Sequence, residues 1–227
     1  MAKSKLVKEL ANNETSLEIA LSRLLIISED INNTELFQWA SNELNGYDHI
    51  DSVPSYRIVK NAIYKYSGIN GSFKVTNCPL DFEAYFPDKE KDNFYIPVYD
   101  GIKTIESYVN GNDDTTFGRD LTFAAPIIYK KSGIQCSSIT QVVPKNFFES
   151  VVNSVRTTLL KVLIKLDKEY GSIDDLDIDV SKKTEKEIRS TNFQINKLIL
   201  YDNSISMRDG NEISKSSLLT GANNGQE

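Results

Sequence analysis

The chain contains few of the residues that build disulfide frameworks and metal centres. Its 227 residues include two cysteines, Cys78 and Cys136, and one histidine, His49. The cysteines lie far apart and form neither a CxxC pair nor a regular framework, so we expect reduced thiols that pack as small hydrophobic side chains. Zinc takes Cys and His ligands at short, regular spacings. Because these three residues lack such spacing, the sequence predicts no metal site.

Glycine, proline and long apolar runs are also scarce. The chain has 11 Gly and 6 Pro, which excludes a collagen-like protein. Its longest purely apolar run is about four residues, at 24–27, whereas a helix that spans a bilayer needs about 18 or more. The N-terminal residues lack the apolar segment of a secretory signal peptide. We therefore expect no membrane segment, and a cytoplasmic location is the default interpretation.

Positive charge is neither abundant nor clustered. The sequence carries 26 Lys and Arg residues against 32 Asp and Glu residues, which gives a formal net charge of −6. Much of the affinity of a protein for nucleic acid comes from basic groups that displace counterions from phosphates. The whole-molecule charge disfavours a nucleic-acid partner, although a local basic patch remains an alternative.

Apolar residues are abundant enough for one large domain. Hydrophobic residues make up 40% of the chain and charged residues 26%. A globular chain of this size buries roughly 70% of the surface that it exposes when unfolded, so it needs no disulfide or metal to hold its core. The same composition excludes a wholly disordered chain.

Helical periodicity predicts three N-terminal helices and one long helix in the second half of the chain. The N-terminal helices are expected over 3–11, 17–28 and 34–45, and the third ends at Gly46, because glycine tolerates the left-handed conformation that follows a helix. Apolar residues recur at steps of three or four from 146 to 170. At about 1.5 Å per residue this helix would be roughly 36 Å long, enough to cross the domain.

The middle of the chain has the patterns of strands. Aromatic and β-branched residues predict a hairpin across 56–77, and strands are expected at 121–129 and 134–143, with a short helix over 99–110. The predicted fold class is α+β, with N-terminal helices packed with a long C-terminal helix and a mostly antiparallel β-sheet in the middle of the chain.

The composition changes after Gly171. We predict a domain over 1–171, a charged extension over 172–205 with one possible strand at 195–201, and a polar tail over 206–227.

Motifs that mark known catalytic or cofactor sites are missing from the sequence. There is no G-x-S-x-G elbow, no P-loop and no dinucleotide fingerprint. The acidic run at 174–179 is no calcium loop, because Asp179 stands where such a loop needs glycine. The sequence therefore predicts no cofactor, and it favours a non-enzymatic role while leaving that question open.

A first group of candidate residues lies at the end of the third predicted helix. Trp39 and Glu43 are one helical turn apart, and Asn45 and Tyr47 follow closely. This spacing can bring a carboxylate and two aromatic rings together at the end of the helix. Core packing and capping are the plainer alternative.

A second group consists of Tyr56, Arg57 and Arg156. Tyr56 and Arg57 open the first predicted strand, where Arg57 offers a fork for a phosphate or carboxylate; a paired surface arginine is the alternative. Arg156 lies on the flank of the apolar face of the long helix, where an arginine needs a partner. A salt bridge to one of the N-terminal helices is the plainer interpretation.

Four segments follow one another in a characteristic order: SLEIALSRLLIISEDINNTELFQWASNELNGY at 16–47, VPSYRIV at 53–59, GIQCSS at 133–138 and FFESVVNSVRTTLLKVLIKLDKEYG at 147–171. Their most diagnostic parts are Glu43-Leu44-Asn45-Gly46-Tyr47, Pro54-Ser55-Tyr56-Arg57 and Val155-Arg156 with Leu159-Leu160. In order and spacing they resemble the AbiTii domain of bacterial abortive-infection proteins. The resemblance covers about residues 4–171.

The resemblance implies a phage-defence protein that arrests or kills the infected cell. It implies a sensor, adaptor or toxin that acts through protein contacts, with a partner from a paired defence gene or from the phage; self-association stays open. It implies no catalytic residue, so the motif positions are candidates only: Glu43, Asn45, Tyr47, Tyr56, Arg57 and Arg156. The alternative is a hydrolase-type toxin that acts on nucleic acid or nucleotides, with Glu43, Tyr56 and Arg57 converging in a pocket.

Overall fold

The computed structural model describes residues 3–111, 117–176 and 178–200. Across these residues the chain forms seven α-helices and six β-strands, so the predicted α+β class is confirmed. The predicted loop at 112–116 and the polar tail at 206–227 lie outside the described residues.

The three N-terminal helices form where helical periodicity predicts them: α1 (Lys5–Ala11), α2 (Leu17–Asp30) and α3 (Thr34–Asn45). Polar side chains cap the second and third. The Ser16 hydroxyl accepts a hydrogen bond from the backbone amide of Ile19 in α2 at 3.2 Å. The side-chain oxygen Oδ1 of Asn33 accepts one from the backbone amide of Leu36 in α3 at 3.0 Å. These bonds satisfy amides that have no partner inside the helix.

The long helix α6 (Lys145–Tyr170) organises the main core. With 26 residues it is about 39 Å long, as the periodicity predicts. Its buried residues recur every three or four positions and face α1, α2, the short helix α4 (Ile102–Asn110) and α7 (Glu185–Leu200), the last helix in the described residues. Helices from both ends of the chain therefore share one apolar interior.

The helix α7 corrects the strand that the sequence suggested at 195–201. Thr191, Ile195 and Ile199 are spaced by four and are all buried, so this segment packs one helical face against the core. The interpretation as a strand was wrong because the continuous apolar run at 198–200 hides that spacing. Tyr201 lies outside the described residues.

The main β-sheet has four antiparallel strands in the order β3-β2-β6-β5, and β1 pairs with β4 in a separate two-stranded ribbon. The strands are β1 (Ile58–Val59), β2 (Ile63–Asn70), β3 (Phe73–Pro79), β4 (Ile96–Pro97), β5 (Phe117–Asp120) and β6 (Gln135–Val143). The predicted hairpin exists but is displaced from 56–77 to 63–79. Residues 55–57 form a 3-10 turn instead of a strand.

Helix α5 (Ala125–Ser132) stands where a strand was predicted at 121–129. Leu121, Ala124 and Ile128 are buried at helical spacing, and Pro126 occupies the first turn, where its missing N–H costs no hydrogen bond. The strand prediction was therefore wrong here, and β5 forms just before this segment.

A second, smaller core lies between the sheet and α5. The ring of Phe82 stacks on Tyr64 with centroids 4.8 Å apart and meets Phe94 edge-on at 4.9 Å. Both cysteines, Cys78 and Cys136, pack against this cluster as free thiols.

Two aspartates, one near the end of α6 and one just after it, bind the N-terminus of α1. Asp167 accepts hydrogen bonds from the backbone amide of Ser4 at 2.9 Å and from the Ser4 hydroxyl. Asp174 accepts from the amides of Lys5 and Leu6 at 3.0 and 3.1 Å. Both carboxylates thus cap the N-terminus of α1, where negative charge is favourable. The segment after residue 171 also adds buried side chains to the main core: Ile173, Ile178, Ile195 and Ile199.

Glu169 links the end of α6 to Lys183, just before α7, and makes the stability of this contact depend on pH. Hydrogen bonds of 2.8 Å from Lys165 and Lys183 lower the pKa of Glu169 to about 2. Because this value is below the ordinary 4.5, the stabilisation is complete above that pH and is lost as the pH falls toward 2. We expect urea titrations to show a free energy of unfolding that falls across this window, and Glu169→Gln to make the fall shallower. The variant Glu149→Gln, at an exposed site on the same helix, is the control; equal slopes for both variants would contradict this assignment.

Candidate functional site

The structure brings five of the seven candidate residues together. They are Trp39 and Glu43 on α3, Tyr47 just after α3, and Tyr56 and Arg57 in the following 3-10 turn. The predicted meeting of a carboxylate with aromatic rings therefore occurs, and Arg57 joins it.

Glu43 and Arg57 form an ion pair that is sealed from solvent. Both side chains are 0% exposed. Arg57 Nη2 donates to Glu43 Oε2 at 2.5 Å, and Arg57 Nε donates to Oε1 at 3.3 Å. The guanidinium of Arg57, which the sequence offered for a phosphate or carboxylate, thus binds a carboxylate of the same chain.

Three aromatic side chains complete the hydrogen bonding around the carboxylate. The hydroxyls of Tyr47 and Tyr56 donate to Glu43 Oε1 at 2.6 and 2.5 Å. Trp39 Nε1 donates to the Tyr56 oxygen at 3.2 Å, and the guanidinium of Arg57 lies 5.0 Å from the centroid of the Tyr47 ring. We call these five residues the Glu43 cluster.

Burial and charge fix the protonation states in the Glu43 cluster. Burial, and then the Glu43 carboxylate, raise the pKa values of Tyr47 and Tyr56 far above the ordinary 10, so both phenols stay protonated as donors. Burial alone would lower the pKa of Arg57, but the adjacent Glu43 carboxylate outweighs it and the net shift is upward. The cation and its hydrogen bonds therefore persist at every physiological pH.

Two glycines allow the backbone to close around the cluster. A Cβ atom on Gly46 would lie 2.6 Å from the carbonyl oxygen of Tyr99, and one on Gly101 would lie 2.3 Å from that of Leu44. Tyr47 N donates to the Tyr99 oxygen at 2.8 Å. The segment after α3 and the segment before α4 thus pack backbone against backbone, which only glycine permits.

The closed geometry limits the chemistry of Glu43. Its two oxygens accept four hydrogen bonds, and no part of the side chain reaches solvent. A general base needs to contact the proton that it removes, and a buried, fully bonded carboxylate cannot do so in this conformation. In this conformation all the hydrogen bonds of the carboxylate are therefore made within the chain.

An open groove borders the outer side of the Glu43 cluster, with a volume of about 440 Å³. It lies between α3, the segment at 52–56 and the end of α7. Its lining consists of Glu35, Gln38, Trp39, Asn42, Tyr47, Ser52, Val53, Pro54, Ser55, Tyr56, Ile199 and Leu200.

Several groups at this site were not predicted from the sequence. The carbonyl oxygen of Asp100 accepts a hydrogen bond from Arg57 Nη1 at 2.6 Å, and no sequence pattern marks such a backbone partner. Ile199 and Leu200 line the groove. The four-residue spacing from Thr191 to Ile199 was the signal that could have placed them on a helix.

The two remaining candidates lie outside the cluster. The amide of Asn45 is exposed and donates to the carbonyl oxygen of Ser41 at 3.0 Å, within its own helix. Arg156 on α6 lies near Glu106 of α4. Burial raises the pKa of Glu106 above its ordinary value, and the charge of Arg156 offsets only part of this effect. In the described part of the chain, Arg156 Nη1 is buried without a hydrogen-bond partner.

Over 3–111, 117–176 and 178–200, no group of three or more His, Cys, Asp or Glu side chains is arranged to hold a metal ion. None of the helices in these ranges has the length and apolar character that crossing a bilayer requires.

The comparison with known families concerns most of the chain. A profile of the AbiTii family matches residues 4–192. The chain belongs to the AbiTii family. The match includes every residue of the Glu43 cluster, and AbiTii membership places the chain among the abortive-infection proteins of phage defence. A search of curated proteins and a search of solved structures give no match.

The Tyr56 hydroxyl gives a direct test of the cluster in this AbiTii protein. Tyr56→Phe removes the donor to Glu43 and the acceptor of Trp39 Nε1. We expect it to lower the free energy of unfolding by about 2 kcal/mol, the typical size for a hydrogen bond to a charged group. Urea unfolding followed by Trp39 fluorescence measures this. Tyr129→Phe, at a tyrosine that is 54% exposed, is the control, and equal stabilities of the two variants would contradict the geometry.

Proposed function

We propose that this AbiTii chain acts in abortive infection by binding another protein at the groove beside the Glu43 cluster. The observation that carries the proposal is that the five residues of the Glu43 cluster take two different positions relative to the groove. Glu43 and Arg57 are sealed inside, whereas Trp39, Tyr47 and Tyr56 border the open groove. The buried ion pair of the Glu43 cluster thus supports aromatic residues that line a surface for binding.

The proposed role is that of a sensor, adaptor or toxin whose partner comes from a paired defence gene or from the phage. Aromatic side chains are enriched at the centres of protein interfaces, because they bury large areas at low entropic cost. The hydrogen bonds to Glu43 hold these rings in place before any partner arrives, and such preorganisation favours affinity.

A hydrolase-type toxin is the second candidate, because Glu43, Tyr56 and Arg57 converge as that interpretation requires. Its weakness is that Glu43 is inaccessible in this conformation. Incubation of the purified chain with RNA, DNA and nucleotides tests it. Degradation that Tyr56→Phe abolishes would support the hydrolase and would count against the binding role.

Phage challenge tests the binding role. Cells that express the tagged full chain with its neighbouring genes should plate phage poorly, and capture of the chain during infection should recover one specific protein. Gln38→Arg places a bulky cation in the groove, so we expect it to lose both the capture and the protection. Asn153→Arg, the same type of change at an exposed position of α6, should retain both. Equal behaviour of the two variants would overturn the role of the groove.

A further inference from the structure

The floor of the groove consists of aromatic rings whose polar ends are already occupied. The Tyr47 and Tyr56 hydroxyls donate to Glu43, and Trp39 Nε1 donates to Tyr56. The polar atoms of these side chains thus point toward the interior, and the rings border the groove. Because Trp39 and Tyr47 are 7% and 6% exposed and Tyr56 is half-buried, the floor offers apolar and π-electron surface to an occupant mainly at Tyr56.

The walls of the groove are aliphatic. Val53 and Pro54 line one part, and Ile199 and Leu200 line another, where Leu200 is 57% exposed. The volume of about 440 Å³ falls within the roughly 300–1,000 Å³ of typical ligand sites. Val53 and Ile199 are buried, so the apolar surface left in water is mainly that of Pro54 and Leu200, and it favours an occupant with an apolar side chain.

The rim of the groove carries one negative charge among the described lining residues. Among the described residues that line it, Glu35 in the first turn of α3 is the one charged side chain. Beside it, Gln38 Nε2 donates to Asn42 Oδ1 at 2.8 Å, so amide groups form the rest of that edge. A phosphate would find no cation among these residues. A basic side chain would find both a carboxylate and aromatic rings.

We propose that the groove receives a peptide segment of the partner protein in which an aliphatic or aromatic residue lies next to a lysine or arginine. The inference rests on the proposed function and specifies its partner. The apolar residue fills the space between the aromatic floor and the aliphatic walls, and the basic residue pairs with Glu35. Charge complementarity selects such a segment over an acidic one.

Two capped pentapeptides test this chemistry on the full chain. The probes are acetyl-Ala-Leu-Arg-Phe-Ala-amide and the same peptide with Glu in place of Arg. Trp39 is the single tryptophan of the chain and borders the groove, so its fluorescence reports binding. We expect the Arg peptide to bind about fivefold to tenfold more tightly than the Glu peptide, the ratio expected when an attractive exposed pair becomes repulsive.

A matched pair of variants assigns the preference to Glu35. Glu35→Lys should abolish or reverse the preference for the Arg peptide, and thermal melts verify that it folds. Glu149→Lys makes the same change of charge on α6, outside the groove, and should preserve the preference. Equal affinities of the two peptides for the unmodified chain, or failure of both at millimolar concentration, would overturn the inference.

The remaining outcomes separate this inference from the proposed function. If infected cells yield a specific partner but neither peptide binds, the binding role stands and the groove chemistry fails. If the peptides bind as expected but no partner is captured, the proposed function fails. Peptide binding that requires removal of residues 201–227, which follow Leu200, or peptide binding lost on self-association, would assign the groove to this chain itself and overturn the inference.

Discussion

Replacing Arg57 by alanine should destabilise the protein by about 3–5 kcal/mol. The substitution leaves the Glu43 carboxylate buried without its cation, and an unpaired buried charge is among the most costly defects in a folded protein. The cost is large because Glu43 is 0% exposed and loses both hydrogen bonds from the guanidinium together with its countercharge. Urea unfolding monitored by Trp39 fluorescence measures the loss.

An exposed arginine provides the control for this experiment. The Arg189 side chain is 83% exposed and pairs with Glu185 at 3.4 Å on the surface of α7. Arg189→Ala should therefore cost about 0.5 kcal/mol or less. The double variant Glu43→Ala, Arg57→Ala should lose less stability than the sum of the single variants, because each single change strands the other charge. Additive effects would show that the two side chains do not interact.

Replacing Ile195 by alanine should cost about 2–5 kcal/mol, the range for a fully buried aliphatic side chain. Ile195 is 0% exposed and belongs to the same core as α2 and α6. Ile19→Ala deletes the same atoms on α2, where the side chain is 50% exposed, and should change stability by no more than about 0.5 kcal/mol. Thermal and urea unfolding of both variants give the comparison, and equal losses would contradict the packing of α7.

A chain truncated after residue 171 tests whether α7 belongs to the same domain as the preceding helices. The sequence predicts a domain that ends at 171, and a chain cut there would lose the apolar contacts of α7. We expect it to aggregate or to unfold at a lower urea concentration than the full chain. A stable fragment 1–171 would instead support the predicted division.

Local patterns predicted those elements whose packing face is visible in a single stretch of sequence. The three N-terminal helices and α6 have apolar residues at regular helical steps and clear stop signals, so their bounds came within a few residues. β6 was predicted as a strand at 134–143, because its strand-like pattern follows a turn that ends at Gly133. The cluster of Trp39, Glu43 and Tyr47 followed from one helical turn of spacing.

The elements that were missed depend on contacts that are distant in sequence. Residues 56–57 have strand-like composition, but Glu43 binds both side chains and holds them in a 3-10 turn. The segments 121–129 and 195–201 are rich in β-branched and aromatic residues, and burial on one face makes α5 and α7 helical. Tertiary packing overrides local preference in these cases. The groove was not predicted, because it needs α3 and α7 side by side.

The wide separation of these parts in the sequence has a consequence for synthesis on the ribosome. The backbone carbonyl oxygen that accepts from Arg57 Nη1 belongs to Asp100, 43 residues later in the sequence. Glu43 and Arg57 are therefore synthesised before Asp100, whose carbonyl oxygen completes the hydrogen bonding of Arg57. Ile199 and Leu200 arrive later still. A product that terminates between Asp100 and Ile199 thus contains every residue of the Glu43 cluster but lacks the two residues of α7 that line the groove.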